Sequence, residues 1–243
     1  MSNCFIILAA GESKRFNSHT PKPYIIYKGK PIIQHSIDKA KKCKKIHKIL
    51  LVINKKHKKF VKVANTKKIK IIVGGKTRAE SSYKALQSLK KIKIKNVLIH
   101  DAARPNFSIK LLDRLINELK KNKSVVPAIK SKDAVKFKNK NLIINLNRDY
   151  IYLAQTPQAF DYKELCKLQN NISSKITDDS NLFIKNNKKV KFIDGENENK
   201  KITNASDIKN YNYITYGLGF DVHRLVPKRK LYLGGIKIKS HLG

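Results

Sequence analysis

The sequence predicts an α/β protein with a doubly wound, mostly parallel sheet, a protruding β-arm and a short C-terminal β fragment. Two observations carry that expectation. Short apolar runs alternate with helix-patterned stretches over roughly the first 200 residues, which is the signature of repeated β-then-α units. In addition, 41% of the 243 residues are hydrophobic, too many for a disordered chain and enough for one sizeable core.

In chain order, Phe5–Ala9 reads as a buried strand, followed by a polar, glycine-containing loop to Pro23. Ile33, Ile37 and Ala40 recur at helical spacing, so 32–43 is a helix. A strand at 49–53, a short helix at 57–64 and a strand at 69–73 follow, the last running into Gly74-Gly75. Residues 80–89 form a helix, 97–100 a strand that meets Asp101, 109–120 a helix and 125–129 a strand. The polar stretch 131–147 reads as a β-arm, and the chain returns to strand at 151–154. Residues 162–169 and 180–184 are helical and 190–193 are strand. The strand order does not follow from this pattern.

Composition shifts at Tyr216, where glycines surround two strand-like runs, 220–222 and 231–233. A piece of this size cannot form a core of its own, so residues 1–215 are expected as one domain and 216–243 as the truncated start of another.

Several classes are excluded. No apolar run approaches the roughly 20 residues of a membrane helix, and the apolar 4–10 stretch lacks the basic flank of a signal peptide. Three cysteines with no Cys-x-x-Cys pair argue against a disulfide framework or a zinc finger. A soluble, cytoplasmic protein is expected. The net charge of +37 raises the question of nucleic acid. However, only seven of the 54 basic residues are arginines, and the lysines are spread along the chain with Ile and Asn, as A/T-rich codon usage produces. Aromatics are scattered and Trp is absent. A basic nucleic-acid-binding protein is therefore the rival from another class, one that leaves the loop motifs below unexplained. The charge is expected to steer small polyanions towards the protein.

Ligands of open α/β sheets bind beyond the carboxyl ends of the strands, and three segments place unusual residues there. Ala9-Ala10-Gly11 allows backbone N–H groups close to a phosphate chain, with Arg15 and Lys22 bracketing the loop. Alone, Ala-Ala-Gly describes an ordinary tight turn; combined with the basic pair it is far more specific. In Gly74-Gly75-Lys76-Thr77-Arg78-Ala79-Glu80-Ser81, Thr77 and Glu80 fit a capping box, and a solvated Arg78 is the plain alternative. In His100-Asp101-Ala102-Ala103-Arg104-Pro105, a carboxylate at a strand tip can hold Mg²⁺ or a sugar hydroxyl, and Arg104 can fork onto a phosphate. His100 is expected to support that loop through a hydrogen bond.

With Pro21-Lys22-Pro23-Tyr24, Arg148, Thr156-Pro157-Gln158 and Thr177-Asp178-Asp179-Ser180 following the same order, residues 3–214 resemble the 2-C-methyl-D-erythritol 4-phosphate cytidylyltransferases. The resemblance implies a Rossmann-like nucleotidyltransferase fold, Mg²⁺, a homodimer, and a reaction between CTP and methylerythritol phosphate in isoprenoid precursor biosynthesis. It implies Arg15 and Lys22 as transition-state stabilisers, and Ala9, Ala10 and Gly11 around the triphosphate. It places Gly75 and Ser81 near cytosine and Asp101 at the ribose. Arg104, Thr156 and Lys201 match the sugar-phosphate pocket, and Arg148 a residue lent across the dimer through the arm. Lys76 and Ala134 depart from the family's pattern near the base and the sugar phosphate. A pentitol-phosphate cytidylyltransferase is the nearest alternative.

Gly217-Leu218-Gly219-Phe220-Asp221-Val222-His223, followed by Gly234-Gly235, resembles the opening of 2-C-methyl-D-erythritol 2,4-cyclodiphosphate synthases. Asp221 and His223 match two of that family's three ligands for Zn²⁺ or another divalent metal. The third is missing here, so cyclase (lyase) activity is expected only of a complete parent protein.

Overall fold

The first apolar run becomes the middle of an eight-stranded sheet. The computed structural model describes residues 2–12, 16, 18–140, 142–169, 178–209, 220, 222 and 224–243. Arg15, Asp221 and His223, singled out above, lie outside the described residues, as do Gly217 and Gly219. Two compact units divide the chain, Met1–Tyr211 and Asn212–Gly243.

In the first unit, β1 (Asn3–Ala9) is followed by a ribbon of β2 (Ile26–Tyr27) and β3 (Lys30–Pro31), then α1 (Ile32–Lys42), β4 (Lys48–Ile53), β5 (Ile69–Val73) and α2 (Arg78–Gln87). Next come β6 (Asn96–Asp101), α3 (Ile109–Glu118) and β7 (Ser124–Lys130). The arm is β8 (Val135–Asn139) with β9 (Leu142–Leu146), paired antiparallel. β10 (Tyr152–Ala154), β11 (Gln158–Asp161), α4 (Tyr162–Leu168), α5 (Ser180–Lys185), β12 (Lys191–Asp194) and α6 (Ser206–Lys209) complete the unit.

β1 pairs in parallel with β4 on one side and β6 on the other, and β5 extends the β4 side. Beyond β6 the sheet turns mixed, because β11 runs antiparallel between β6 and β7. Ala128 lies between Ala154 and Asp194, and Val125 between Ala159 and Lys191. β10 and β11 therefore share one edge of β7, and β12 takes the other.

Alternating side chains of β1 face two cores, as the pleat requires. Phe5 and Ile7 pack with Ile33 and Ile37 of α1 and Leu111, Leu112 and Leu115 of α3. Cys4 and Ile6 pack with Ala85 and Leu86 of α2, Leu165 of α4 and Phe183 of α5. Helices thus cover both faces, and the doubly wound expectation holds. After β5 the chain crosses through α2 to the far side of β1 to make β6, so a topological switch point opens at the carboxyl ends of β1 and β6.

Some local expectations change. The short helix expected over 57–64 is a 3₁₀ helix that begins and ends earlier, at Lys55–Phe60, and Phe60, Val61 and Val63 pack on the core. β11 and the β2–β3 ribbon were not foreseen.

The second unit contains a hairpin of β13 (Leu231–Leu233) and β14 (Ile236–Ile238), turning on Gly234 and Gly235 at φ of 58° and 80°. Glycine reaches positive φ without a Cβ penalty. Phe220 and Val222 are exposed and outside any strand, where a strand over 220–222 was expected.

Candidate active site

A cavity of about 300 Å³ opens at the switch point. Ala9, Ala10 and Gly11 leave β1 along one wall, and the end of β5 with the first turn of α2 makes another through Gly75, Lys76, Thr77, Arg78 and Ser81. Asp101 stands at the tip of β6, while Lys22, Lys201 and Thr203 reach in from loops. Among the described lining residues, Lys22, Lys76, Arg78 and Lys201 are cations and Asp101 alone is acidic. A polyanion fits that balance.

The walls are held by backbone chemistry. Asn54 donates Nδ2–H to the Ala10 carbonyl at 3.1 Å, and the Ala102 N–H bonds the Leu8 carbonyl at 3.1 Å. A Cβ on Gly74 would come 2.6 Å from that of Ala10 and 2.8 Å from Ser81 Oγ, so only glycine lets the end of β5 meet the first loop. A Cβ on Gly11 would meet nothing within 4 Å among the described residues. Packing against those residues therefore does not account for the glycine, whose bareness suits close approach of a ligand.

α2 begins with the Thr77 cap that its sequence suggests, but Glu80 reaches the N–H of Lys76 and not that of Thr77, so the capping box is not closed in its usual form. Thr77 Oγ1 accepts the Glu80 N–H at 3.0 Å, while Glu80 Oε2 accepts the Lys76 N–H at 2.8 Å. Ser81 Oγ accepts the Gly75 N–H at 3.0 Å and donates to the Thr77 carbonyl at 2.9 Å. Ser81 thereby fixes the Gly75 backbone, with its own hydroxyl already engaged.

Asp101 is the electrostatic centre. Its Oδ1 accepts Arg78 Nε–H at 3.2 Å, and its Oδ2 accepts Lys201 Nζ–H at 2.7 Å. Burial works to raise its pKa, yet Arg78 and Lys201 outweigh that and hold the carboxyl well below the usual carboxylate range. Arg78, expected in one reading to be solvated, is mostly buried and bonds both Asp101 and Asp179. Burial alone would lower its pKa, but the carboxylates of Asp179 and Asp101 raise it. Asp179, which the Thr177–Ser180 motif contains without a stated role, is the second carboxylate of the site.

Beneath Asp101 lies a relay. The Asp101 N–H donates to Thr156 Oγ1 at 3.0 Å, and that hydroxyl is 3.1 Å from His100 Nδ1. His100 Nε2 lies 3.1 Å from the Arg104 carbonyl and 3.2 Å from Ser36 Oγ. These partners are satisfied by a neutral imidazole whose Nε2–H donates to the carbonyl and whose Nδ1 accepts from Thr156. Complete burial drives the His100 pKa down from 6.5 to about 3. Between these values an unfolded His100 takes up a proton that the folded one refuses, so stability is full above about pH 6.5 and falls as the pH drops towards 3. Urea midpoints measured from pH 7 to pH 4 should therefore fall steadily, and a His100→Gln variant should show a shallower slope.

The remaining expected residues are placed differently. Thr156 is 5% exposed and sits behind the cavity wall with its hydroxyl in the relay, not on the surface of the cavity. Arg104 also lies outside the cavity lining, its Nη1 donating to the Asn199 carbonyl at 2.8 Å. Its Nε is buried without a hydrogen-bond partner among the described residues. Arg148 lies in an exposed turn at the base of the arm, donating to the Lys132 carbonyl at 3.2 Å, and does not line the cavity of its own chain. Lys22 Nζ donates to the Ile202 carbonyl at 2.9 Å, and the Ile202 N–H bonds Ala103 at 2.8 Å. Residues 199–203 therefore form a strap that touches Arg104 at Asn199, Asp101 at Lys201, and Ala103 and Lys22 at Ile202.

The described residues contain no cluster of three or more His, Cys, Asp or Glu suited to a metal, and none of their helices is long and apolar enough to cross a membrane. Mg²⁺ needs no such cage, because it keeps its waters and binds through one or two carboxylates plus substrate phosphates. Asp101, a carboxylate ionised beside a polyanion cavity, fits that donor set.

Comparison with known proteins gives concordant results. The family described as "IspD: 2-C-methyl-D-erythritol 4-phosphate cytidylyltransferase" matches residues 3–215. The "Bifunctional enzyme IspD/IspF" of Pelagibacter ubique is 64% identical over 243 residues, covering 100% of this chain and 66% of that protein. The "2-C-methyl-D-erythritol 4-phosphate cytidylyltransferase" of Thermosipho melanesiensis is 34% identical, covering 85% of this chain and 94% of that one. Among solved structures, the 4-diphosphocytidyl-2C-methyl-D-erythritol synthase of Anaerococcus prevotii superposes with a TM-score of 0.75 at 36% identity, over 86% of this chain and 93% of that one. The bifunctional IspDF of Campylobacter jejuni gives 0.74 at 33% identity, over 100% of this chain and 64% of that one. The chain spans about two thirds of the length of its bifunctional relatives.

Proposed function

The chain belongs to the 2-C-methyl-D-erythritol 4-phosphate cytidylyltransferase family, and from that premise we propose that it transfers CMP from CTP to 2-C-methyl-D-erythritol 4-phosphate. An oxygen of the sugar's phosphate attacks the α-phosphorus of CTP, the bond to the β-phosphate oxygen breaks, and pyrophosphate leaves. One observation carries this reading: the Ala9–Gly11 loop, Lys22, Asp101 and Lys201 line a single cavity at the switch point.

In such a displacement negative charge gathers on the α-phosphoryl oxygens, so catalysis is mostly fixed positive charge and alignment. Lys22 supplies an ammonium beside the first loop, and Arg15, outside the described residues, is proposed to supply the second cation. Backbone at Ala9, Ala10 and Gly11 cradles the triphosphate, the wall at Gly75 and Ser81 faces the base, and Asp101 accepts from the ribose. Asp101 would be the residue that holds Mg²⁺, which would supply charge neutralisation on the nucleotide. Lys201 orients the attacking phosphate, with Arg104 and its unpaired Nε close behind. Thr156 acts one step back, by setting Asp101. Arg148 is proposed to serve the site of a partner protomer. The arm exposes Phe137 beside Ile144 on one face and Ile143 on the other, apolar side chains suited to a homodimer contact.

For residues 216–243 we propose kinship with the start of a cyclodiphosphate synthase domain, because the match to the Pelagibacter ubique relative runs through all 243 residues. Asp221 and His223 would give two ligands of a tetrahedral zinc site that needs four, so these two alone are not expected to support cyclisation.

The test is pyrophosphate release with Mg²⁺ and each nucleotide in turn. CTP with methylerythritol phosphate should turn over, and ATP and GTP should not. Turnover only with a pentitol phosphate would move the acceptor to another sugar, and salt-sensitive RNA binding without turnover would remove the enzyme reading.

A further inference from the structure

Asp179 stands behind the cavity wall yet reaches the cavity through one side chain. It is 2% exposed, and its oxygens accept Arg78 Nη1–H at 2.7 Å and Ser82 Oγ–H at 2.6 Å. The same guanidinium gives its Nε–H to Asp101 at 3.2 Å. A guanidinium is planar with donors at fixed angles, so anchoring Nη1 also sets where Nε points. Lys201, on the other Asp101 oxygen, is 40% exposed on a flexible stem and imposes no comparable direction.

We propose that Asp179 is a positioning residue for nucleotide binding: acting through Arg78, it holds the Asp101 carboxylate in the orientation that the cavity uses. This rests on the cytidylyltransferase reading above. Stability alone is a poor reason for the arrangement, since apolar residues of similar volume often replace a buried ion pair without loss. Apolar residues could not hold a carboxylate at the cavity edge. When Lys201 turns towards a substrate phosphate, Asp101 loses one of the two cations that pair with it among the described residues, and the Arg78–Asp179 pair keeps it in place. The group is also balanced in charge, with Arg78 and Lys201 facing Asp101 and Asp179.

The experiment compares Asp179→Asn, Arg78→Lys and the double variant in the 243-residue protein, after circular dichroism has established folding. Asp179→Asn keeps the shape but weakens the anchor. Arg78→Lys keeps the charge but offers one nitrogen to two carboxylates. Each should raise KM for CTP about tenfold while KM for the sugar phosphate stays within about twofold. Because both changes act on one chain of contacts, the double variant should be no worse than the poorer single one. An unchanged KM for CTP in a folded Asp179→Asn protein overturns the proposal, as do multiplicative losses or an equal rise in both KM values. If Asp179→Asn does not fold, Arg78→Lys decides by the same KM comparison. Wild-type protein inactive on CTP removes both this role and the reading beneath it, whereas active wild type with an indifferent Asp179→Asn removes this role alone.

Discussion

Replacing Lys22 with Ala should lower kcat by roughly 100-fold or more, the scale on which a lost transition-state charge is felt. Lys22 opens a 3₁₀ turn, Lys22–Tyr24, directly after Pro21. Pro23 and Tyr24 anchor that turn by burial, and Tyr24 stacks on Phe60 at 5.8 Å. The ammonium is thus delivered from a stiff base, which favours catalysis because little reorganisation is needed when charge develops. Its carbonyl partner at Ile202 lies on the cavity strap, where water can replace the lost donor. Stability should change little, so the deficit should fall on turnover. Steady-state kinetics paired with thermal melts would separate the two. A Lys22→Ala enzyme turning over near the wild-type rate would mean that the α-phosphorus reacts elsewhere.

How much of this was legible in the sequence depends on whether a residue's role is local. Ala9, Ala10, Gly11, Gly75 and Asp101 follow directly on apolar runs, and strand ends on one side of a parallel sheet must converge. Their meeting at one cavity was therefore readable once the β-then-α rhythm was. Lys201 was much harder to single out, because one lysine in so basic a chain says little, and only its family setting marked it. Asp179 should have been easier by the same reasoning, since only 17 acidic residues balance 54 basic ones and each buried carboxylate needs a reason. The partners of Arg78 are invisible to a local reading, because its two carboxylates lie 23 and 101 residues away.

The parts of the fold that stayed hidden are those set by tertiary pairing. β11 contains Gln158-Ala159-Phe160-Asp161 just after Pro157, which reads as a loop, and it becomes strand only by filling the gap between β6 and β7. Thr156 shows the same limit at the site. Its motif was recognisable, but its position behind Asp101, bonded to His100, follows from where β11 enters the sheet. The 3₁₀ helix at 55–60 was legible as a short helix, with bounds that fall earlier than 57–64.

Asp101→Asn is the other substitution expected to have a large effect, lowering kcat/KM for CTP by roughly 100-fold or more. The change keeps size and shape, so it isolates charge. Asparagine has one acceptor oxygen where Asp101 uses two, and its NH₂ would face either Arg78 or Lys201, donor against donor. With the NH₂ towards Lys201, that ammonium would lose its 2.7 Å partner; with the NH₂ towards Arg78, the guanidinium would lose its bond to residue 101 while Asp179 still paired it. The metal and ribose would lose their carboxylate at the same time. The pH dependence separates this from a titration effect. Because Arg78 and Lys201 hold the Asp101 carboxyl far below its ordinary pKa against the opposing pull of burial, the wild-type group is ionised throughout the working range. The ratio of wild-type to variant kcat/KM should therefore be flat between about pH 6 and about pH 8.5. A ratio that collapsed as the pH fell towards 6 would show that Asp101 titrates there. A ratio near one throughout would remove Asp101 from nucleotide recognition.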